Sequence, residues 1–281
     1  MKKLLVPFDF SDQSINAFRF ALDIASQSSG TIQLLHVIEL PVMHDPLLMP
    51  VLAFEKGFLD ELKIKTDLKF NDIIQEYAPG SKIVTTKLIF GPIHTTIMDC
   101  IESQDIDLVI MGTKGAGGWR EILIGSNTEK VVRRSPVPVI ALKEYVKATT
   151  IKNIVFPHAM DAVKHEVLVM KIKALQDFFK AKLHIIWINT PVIFKPEPEI
   201  RRELTAFASQ YMLKDYTINI FSYTNEEAGI LEFTNEINGD LIAMGTHGRT
   251  GFAHVLAGSV TEDVVNHVNY PVWTFSMRAT K

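Results

Sequence analysis

Asp107 to Thr128 reads DLVIMGTKGAGGWREILIGSNT, and Asp240 to Thr261 reads DLIAMGTHGRTGFAHVLAGSVT. Each stretch opens on an apolar run of strand type, Leu108 to Met111 and Leu241 to Met244, and then breaks into glycines. Gly112 and Gly115 are followed after nine residues by Gly125-Ser126. Gly245 and Gly248 are followed after nine residues by Gly258-Ser259. What comes next, Thr128-Glu129-Lys130-Val131-Val132 in the first copy, reads as a helix.

Strand, glycine turn and helix start make an anion cradle. Free N–H groups at a loop and at a helix N-terminus bind phosphate without a cationic side chain. A glycine lets the backbone approach the phosphate oxygens and admits positive φ. Gly112 and Gly115 would shape the turn leaving the strand. Gly125 and Ser126 would open the helix, with the Ser126 hydroxyl as an extra donor. A tight turn packed under a helix is the plainer reading of either copy alone. Other phosphate motifs do not fit: there is no G-x-x-x-x-G-K-[ST], and no G-x-G-x-x-G follows the first strand. The zinc-protease and G-x-S-x-G hydrolase patterns are also missing.

Working outward, the chain reads strand, helix, strand, helix. Leu4-Leu5-Val6 ends at Pro7, with Asp9 just beyond. Ser11 or Asp12 suits the N-cap of a helix over 14–26, and Gly30 is the expected stop. Further strands are expected at 32–38, 82–90 and 137–142, with helices at 52–76 and 93–104. The stretch from Lys143 to Lys152 is polar and reads as a linker. The series then restarts at Asn153-Ile154-Val155-Phe156 and ends at Tyr270 to Phe275. This is an internal duplication, with domains expected at 1–146 and 147–281. Alternating strands and helices argue for α/β units with parallel sheets and helices on both faces. Matching Val6 with Val155 gives a separation of 149, against 133 at the glycine stretches. The difference falls mainly in the loop and helix after the second strand. The apolar segments VPVIAL and YPVWTF would be hazardous as free edges. Pairing one with the other would make a pseudo-dimer within one chain, and a further homodimer of chains stays open.

The 281 residues, 47% of them hydrophobic, suffice for two cores. A net charge of −3 gives no general attraction to nucleic acid or to an anionic membrane. The single cysteine, Cys100, allows no intramolecular disulfide and no C-x-x-C metal site. The N-terminus has no signal-peptide pattern, and no apolar run reaches the length of a spanning helix. A cytoplasmic protein is expected.

The PFD-type first strand, the LHVIE second strand and G-2x-G-9x-G-S resemble a tandem universal stress protein of the ATP-binding branch. The resemblance covers nearly the whole chain as two copies. It implies two Rossmann-like domains, each a five-stranded parallel sheet of order 3-2-1-4-5. It implies ATP, or ADP or AMP, as ligand, with Mg²⁺ as a companion ion, and a protein partner that the sequence does not name. Carried over, Pro7 and Asp9 line the adenosine end and Val37 offers backbone groups to the base. Gly112, Gly115, Gly125, Ser126 and Asn127 hold the phosphates. Gly245, Gly248, Gly258, Ser259 and Val260 match them in the second half, where Ile188 stands for Val37. The 149-residue match places Phe156 at Pro7 and His158 at Asp9.

Plainer roles remain for several of these residues. Asp9 could simply cap the next helix. Trp119 and Phe252, at matching places in the spacers, could be loop anchors or ligand-facing lids. No residue is an evident general base, so slow ATP hydrolysis is the most that is expected. Two other functions stay open: a ligand-free interaction scaffold or binder of another small molecule, and an adenylating enzyme. The last would carry an SGGxDS loop where this chain has PFDFSDQS.

Overall fold

The computed structural model describes residues 1–39, 56–113, 126–158, 165–246, 260–261, 264–265 and 269–277. Gly115, Gly125, Gly248, Gly258, Ser259, Trp119 and Phe252, and the loop expected over 39–50 except its first residue, lie outside the described residues.

The first half contains β1 (Lys3–Pro7), α1 (Asp12–Ser28), β2 (Thr31–Ile38), α2 (Lys56–Tyr77), β3 (Val84–Phe90), α3 (Ile93–Ser103), β4 (Leu108–Gly112), α4 (Ser126–Arg134) and β5 (Val139–Leu142). The second contains β6 (Asn153–Pro157), α5 (His165–Phe179), β7 (Lys182–Asn189), α6 (Glu197–Gln210), β8 (Tyr216–Ser222), α7 (Glu226–Glu236), β9 (Leu241–Thr246) and β10 (Val272–Ser276). Val260, Thr261, Val264 and Val265 are helical as well.

Strands run 3-2-1-4-5 in the first half, and the second repeats that order as 8-7-6-9-10. All pairings within a half are parallel. The two five-stranded sheets are not separate. β5 and β10 pair antiparallel, with Ile140 opposite Trp273, and join them into one ten-stranded sheet. The apolar segments that would have been hazardous edges therefore lie at its centre. The outer edges are β3 and β8, and β3 turns Thr85, Thr86 and Lys87 to solvent. A polar, charged edge discourages pairing with another chain.

Core packing follows the sheet. On one face a single apolar cluster runs through both halves, from Phe18 and Ile24 of α1 through Ile140 and Trp273 at the seam to Leu204 of α6. The other face carries two clusters. One has Ile97, Ile101, Val131 and Val132 of α3 and α4, and the other has Ile230, Phe233, Val264 and Val265. Burying each large side chain of this kind stabilises the fold by about 1.5–3 kcal/mol.

The polar segment after β5 is packed, not a free tether. Ala148 and Ile151 are buried in the shared cluster. The Asp23 carboxylate on α1 accepts the Ala148 N–H at 3.0 Å and the Tyr145 hydroxyl at 3.1 Å. Arg19 sits over the Tyr145 ring at 4.0 Å.

α1 ends differently from expectation. Ser29 takes the left-handed conformation at φ 51°, and its N–H returns to the Ala25 carbonyl. Gly30 follows the stop. A Cβ there would lie 2.9 Å from the Lys2 carbonyl oxygen, so its role is close approach to the start of β1. The extra length of the first half lies where it was expected: α2 has 22 residues and α6 has 14.

Candidate functional site

Between β1 and β4 the strand order reverses, because β2 lies on one side of β1 and β4 on the other. Ligands of open α/β sheets sit outside the carboxyl ends of the strands at such a point. Here the point brings together Pro7, which ends β1, Asp9 just beyond it, and Gly112, which ends β4. α4 starts on the same side, with Ser126 as its first residue.

Gly112 is held by a close approach rather than by turn geometry. It is the last residue of β4, paired with Leu142. A Cβ on it would fall 2.3 Å from the carbonyl carbon and oxygen of Gln13, in the first turn of α1. Only glycine allows that helix start to lie against the strand end. Thr128, buried in the first turn of α4, donates its hydroxyl to the Gly112 carbonyl at 3.5 Å. Asn127 beside it is half-buried. Val37 is half-buried on β2, opposite Ile89 of β3.

Asp9 does part of what the plainer reading expected. Its Oδ1 accepts the amide N–H of Ser11 at 3.0 Å and also the Ser11 hydroxyl. Ser11 is the N-cap of α1, accepting from the Ser14 N–H at 3.3 Å. Asp9 thus braces the cap without being the cap, and it stays at the surface. Partial desolvation by neighbouring groups opposes its charge. The Ser11 hydroxyl and amide, with Ser14, outweigh that and hold its pKa below the ordinary carboxylate value.

An aromatic set that the sequence reading missed flanks Asp9. Phe10 has φ 65°, a left-handed backbone that costs an ordinary residue roughly 1–2 kcal/mol. Its ring centroid lies 5.1 Å from Phe8, 4.9 Å from His36 and 5.1 Å from Phe70. The Lys69 ammonium is 5.3 Å from the same centroid. His36 Nδ1 lies 2.7 Å from the Phe8 carbonyl oxygen, which can only accept, so the proton is on Nδ1. The pattern F-D-F after a strand was the one available signal in the sequence.

The second half corrects the alignment. Asp107 Oδ2 accepts the backbone N–H groups of Lys2 and Lys3, and Asp240 Oδ2 accepts those of Lys152 and Asn153. Phe8 donates its N–H to Leu35, and His158 donates its N–H to Ile186. Lys3 therefore corresponds to Asn153, a separation of 150 and not 149. Pro157 stands at Pro7, His158 at Phe8, and Ala159 at Asp9. A one-residue slip moves every side chain of a strand to the opposite face. His158 accordingly points into the core, its ring 4.1 Å from Phe207, as Phe8 faces Phe70 at 5.9 Å. His158 does not replace Asp9. The β2 and β7 registers do place Ile188 at Val37, as expected.

Gly245 is the last but one residue of β9, opposite Phe275 of β10, and holds the place in the second half that Gly112 holds in the first. Its missing Cβ would meet flexible groups, Leu168 Cδ2 at 2.7 Å and Met277 Cε at 3.2 Å. Thr246 is buried, and its hydroxyl has no hydrogen-bond partner among the described residues. Val260 is half-buried and Thr261 buried, as Asn127 and Thr128 are. Among the described residues no group of three His, Cys, Asp or Glu could hold a metal ion. None of the described helices is long and apolar enough to cross a membrane. An open depression of about 620 Å³ lies on α6, lined by Pro198, Arg201, Arg202, Thr205, Ala206 and Ser209.

Fold and site together define a duplicated, doubly wound α/β protein with a glycine at or next to the end of the strand at each reversal of strand order. Comparison with known proteins places it further. The profile of the universal stress protein family matches residues 1–143 and 222–276, and the chain belongs to that family. A universal stress protein of Synechocystis is 23% identical over 300 residues, covering 98% of this chain and all of its own. One from Methanocaldococcus jannaschii is 31% identical over 153 residues, 50% of this chain and 94% of that protein. The crystal structure of a universal stress protein from Archaeoglobus fulgidus shares the fold with a TM-score of 0.77 at 22% identity, covering 98% of each chain.

Proposed function

We propose that the chain is an adenine-nucleotide-binding regulatory protein of the stress response, working in the cytoplasm and dividing into domains at 1–146 and 147–281. The nucleotide, ATP or its diphosphate or monophosphate, sits at the carboxyl ends of β1 and β4. Pro7, Asp9 and Val37 take the adenosine, with the Asp9 carboxylate accepting from the sugar hydroxyls. Gly112, Gly115, Gly125, Ser126 and Asn127 take the phosphates, with Mg²⁺ as counter-ion. Binding changes the surface that a protein partner meets.

The observation that carries this reading is the meeting of Asp9 and Gly112 at the reversal of strand order. An ionised acceptor stands beside a strand end kept bare of Cβ, and a helix start faces the same side. Gly245, Gly248, Gly258, Ser259 and Val260 form a second phosphate cradle. In the sequence, Ala159 follows His158 as Asp9 follows Phe8, so the position matching Asp9 carries no carboxylate. The first half is therefore the tighter site.

Calorimetric titration of ligand-free protein with Mg-ATP tests the proposal. Saturable binding that disappears in Gly125→Asp is expected. Absence of binding to the unmodified chain would overturn it, and native mass spectrometry of the co-purifying ligand would then show whether another small molecule occupies the site.

A further inference from the structure

Asp9 enters α1 through a residue whose backbone conformation does not suit its side chain. Phe10 is one of the positive-φ residues other than glycine, and it directly follows the proposed sugar acceptor. Such strain persists only where the surroundings over-determine it, and it gathers at ligand clamps. Here the surroundings are identifiable. The Phe10 ring meets Phe8, His36 and Phe70, on the residue two before it, on β2 and on α2. His36 is itself fixed by its bond to the Phe8 carbonyl. Lys69, one residue before Phe70, lies over the Phe10 ring.

We infer that Phe10 is a positioning residue that sets the Asp9 carboxylate for the sugar of the bound nucleotide. The inference rests on the nucleotide reading above. With the ring held by three aromatic neighbours, the left-handed backbone at Phe10 turns the chain so that the amide and hydroxyl of Ser11 both reach Asp9 Oδ1. Those two bonds keep the carboxylate ionised and limit its swing. Release of the ring lets the turn relax, and Asp9 then loses its bracing, whereas the proposed phosphate-binding residues lie on other segments of the chain. In the second half the corresponding residues are His158, Ala159 and Met160. Aromatic anchor and acceptor are absent together there.

The variants Phe10→Gly and Phe10→Tyr test this in the full chain. Glycine keeps the left-handed backbone accessible but removes the anchor, and tyrosine restores a ring. In Phe10→Gly, Mg-ATP affinity should fall about tenfold, the loss of one charge-assisted contact. Affinity for inorganic tripolyphosphate, which has no sugar, should stay within about twofold, since its contacts are unchanged. The Asp9 carboxyl, followed by carbon NMR, should titrate closer to its ordinary value, and Phe10→Tyr should restore both readouts. Unchanged ATP affinity in Phe10→Gly would overturn the inference, as would equal loss for ATP and tripolyphosphate. Should the unmodified chain bind no ATP, the nucleotide reading fails separately. The Asp9 titration then still decides the role of Phe10: an Asp9 that titrates in Phe10→Gly as it does in the unmodified chain would rule it out as a positioning residue.

Discussion

Pro7-Phe8 and Pro157-His158 close equivalent strands, followed in the sequence by Asp9-Phe10 and by Ala159-Met160. Their backbone bonds match nearly one for one: Phe8 to Leu35 at 2.8 Å, and His158 to Ile186 at 2.9 Å. Their side chains share little beyond the proline. The strand ends opposite them differ too. Gly112 abuts the main chain of α1, while Gly245 abuts the flexible ends of Leu168 and Met277. Sheet pairing leaves no freedom in the frame, since each buried N–H and C=O needs its partner. The rim at the strand ends carries no such obligation, and there the halves have diverged.

The sharpest way to break this comparison is at the two glycines. Gly112→Ala drives a Cβ into the Gln13 main chain and should cost about 3 kcal/mol, whereas Gly245→Ala, meeting movable side chains, should cost less than about 1 kcal/mol. Urea denaturation of both variants measures the gap, and equal losses would mean that the two strand ends are alike after all.

Asp9→Ala comes next. It should weaken Mg-ATP binding about tenfold, the worth of one charge-assisted contact. Ala159→Asp should tighten binding in the second half, since it restores an acceptor to the matching place. A calorimetric titration showing no gain there would separate the halves by more than this one residue.

A pH dependence carried by His184 in the second half is the third expectation. His184 on β7 is buried, with Nδ1 2.8 Å from the Thr217 hydroxyl and Nε2 3.2 Å from Asn153 Oδ1. Desolvation, helped by Lys182 and opposed by Asp215, lowers its pKa below the ordinary 6.5. The folded chain then binds fewer protons than the unfolded chain below that value, so stability falls as pH drops through 6.5 towards the depressed pKa. Above 6.5 the contribution is fully present. Gln33 holds the equivalent position on β2 and does not titrate. His184→Gln should therefore flatten the slope in thermal melts between pH 7 and pH 5, and an unchanged slope would assign it to another group.

The smallest effect is expected at Thr246. Its buried hydroxyl has no partner among the described residues, so Thr246→Val should be neutral or stabilising by up to about 1 kcal/mol. A clear loss of melting temperature would show that the hydroxyl is bonded in solution.

Much of the fold was legible. The alternation of apolar runs and helical periods located every strand of the first half, and the repeated glycine stretch identified the duplication. The errors came where a residue's role depends on what lies across from it. Val6 and Val155 are identical and were matched, but Pro7 and Pro157 were the truer markers. A one-residue slip within an apolar run leaves no trace in composition, while in the sheet it exchanges core for rim. Gly112 was read as a turn glycine because its neighbour Gln13 lies far away in sequence. The polar stretch 143–152 was read as a linker because Ala148 and Ile151 are short of apolar company until α1 lies beneath them.

By itself, then, the sequence determined the strand and helix order, the strand directions within each half and the family, because period and glycine spacing are local properties of the chain. Tertiary structure alone decided the register that sets His158 at the place of Phe8, the close approach of Gly112 to Gln13, and the aromatic bracing of Phe10. Each of these rests on hydrogen bonds, close approaches or ring contacts between segments distant in sequence, and such contacts exist only once the chain has folded.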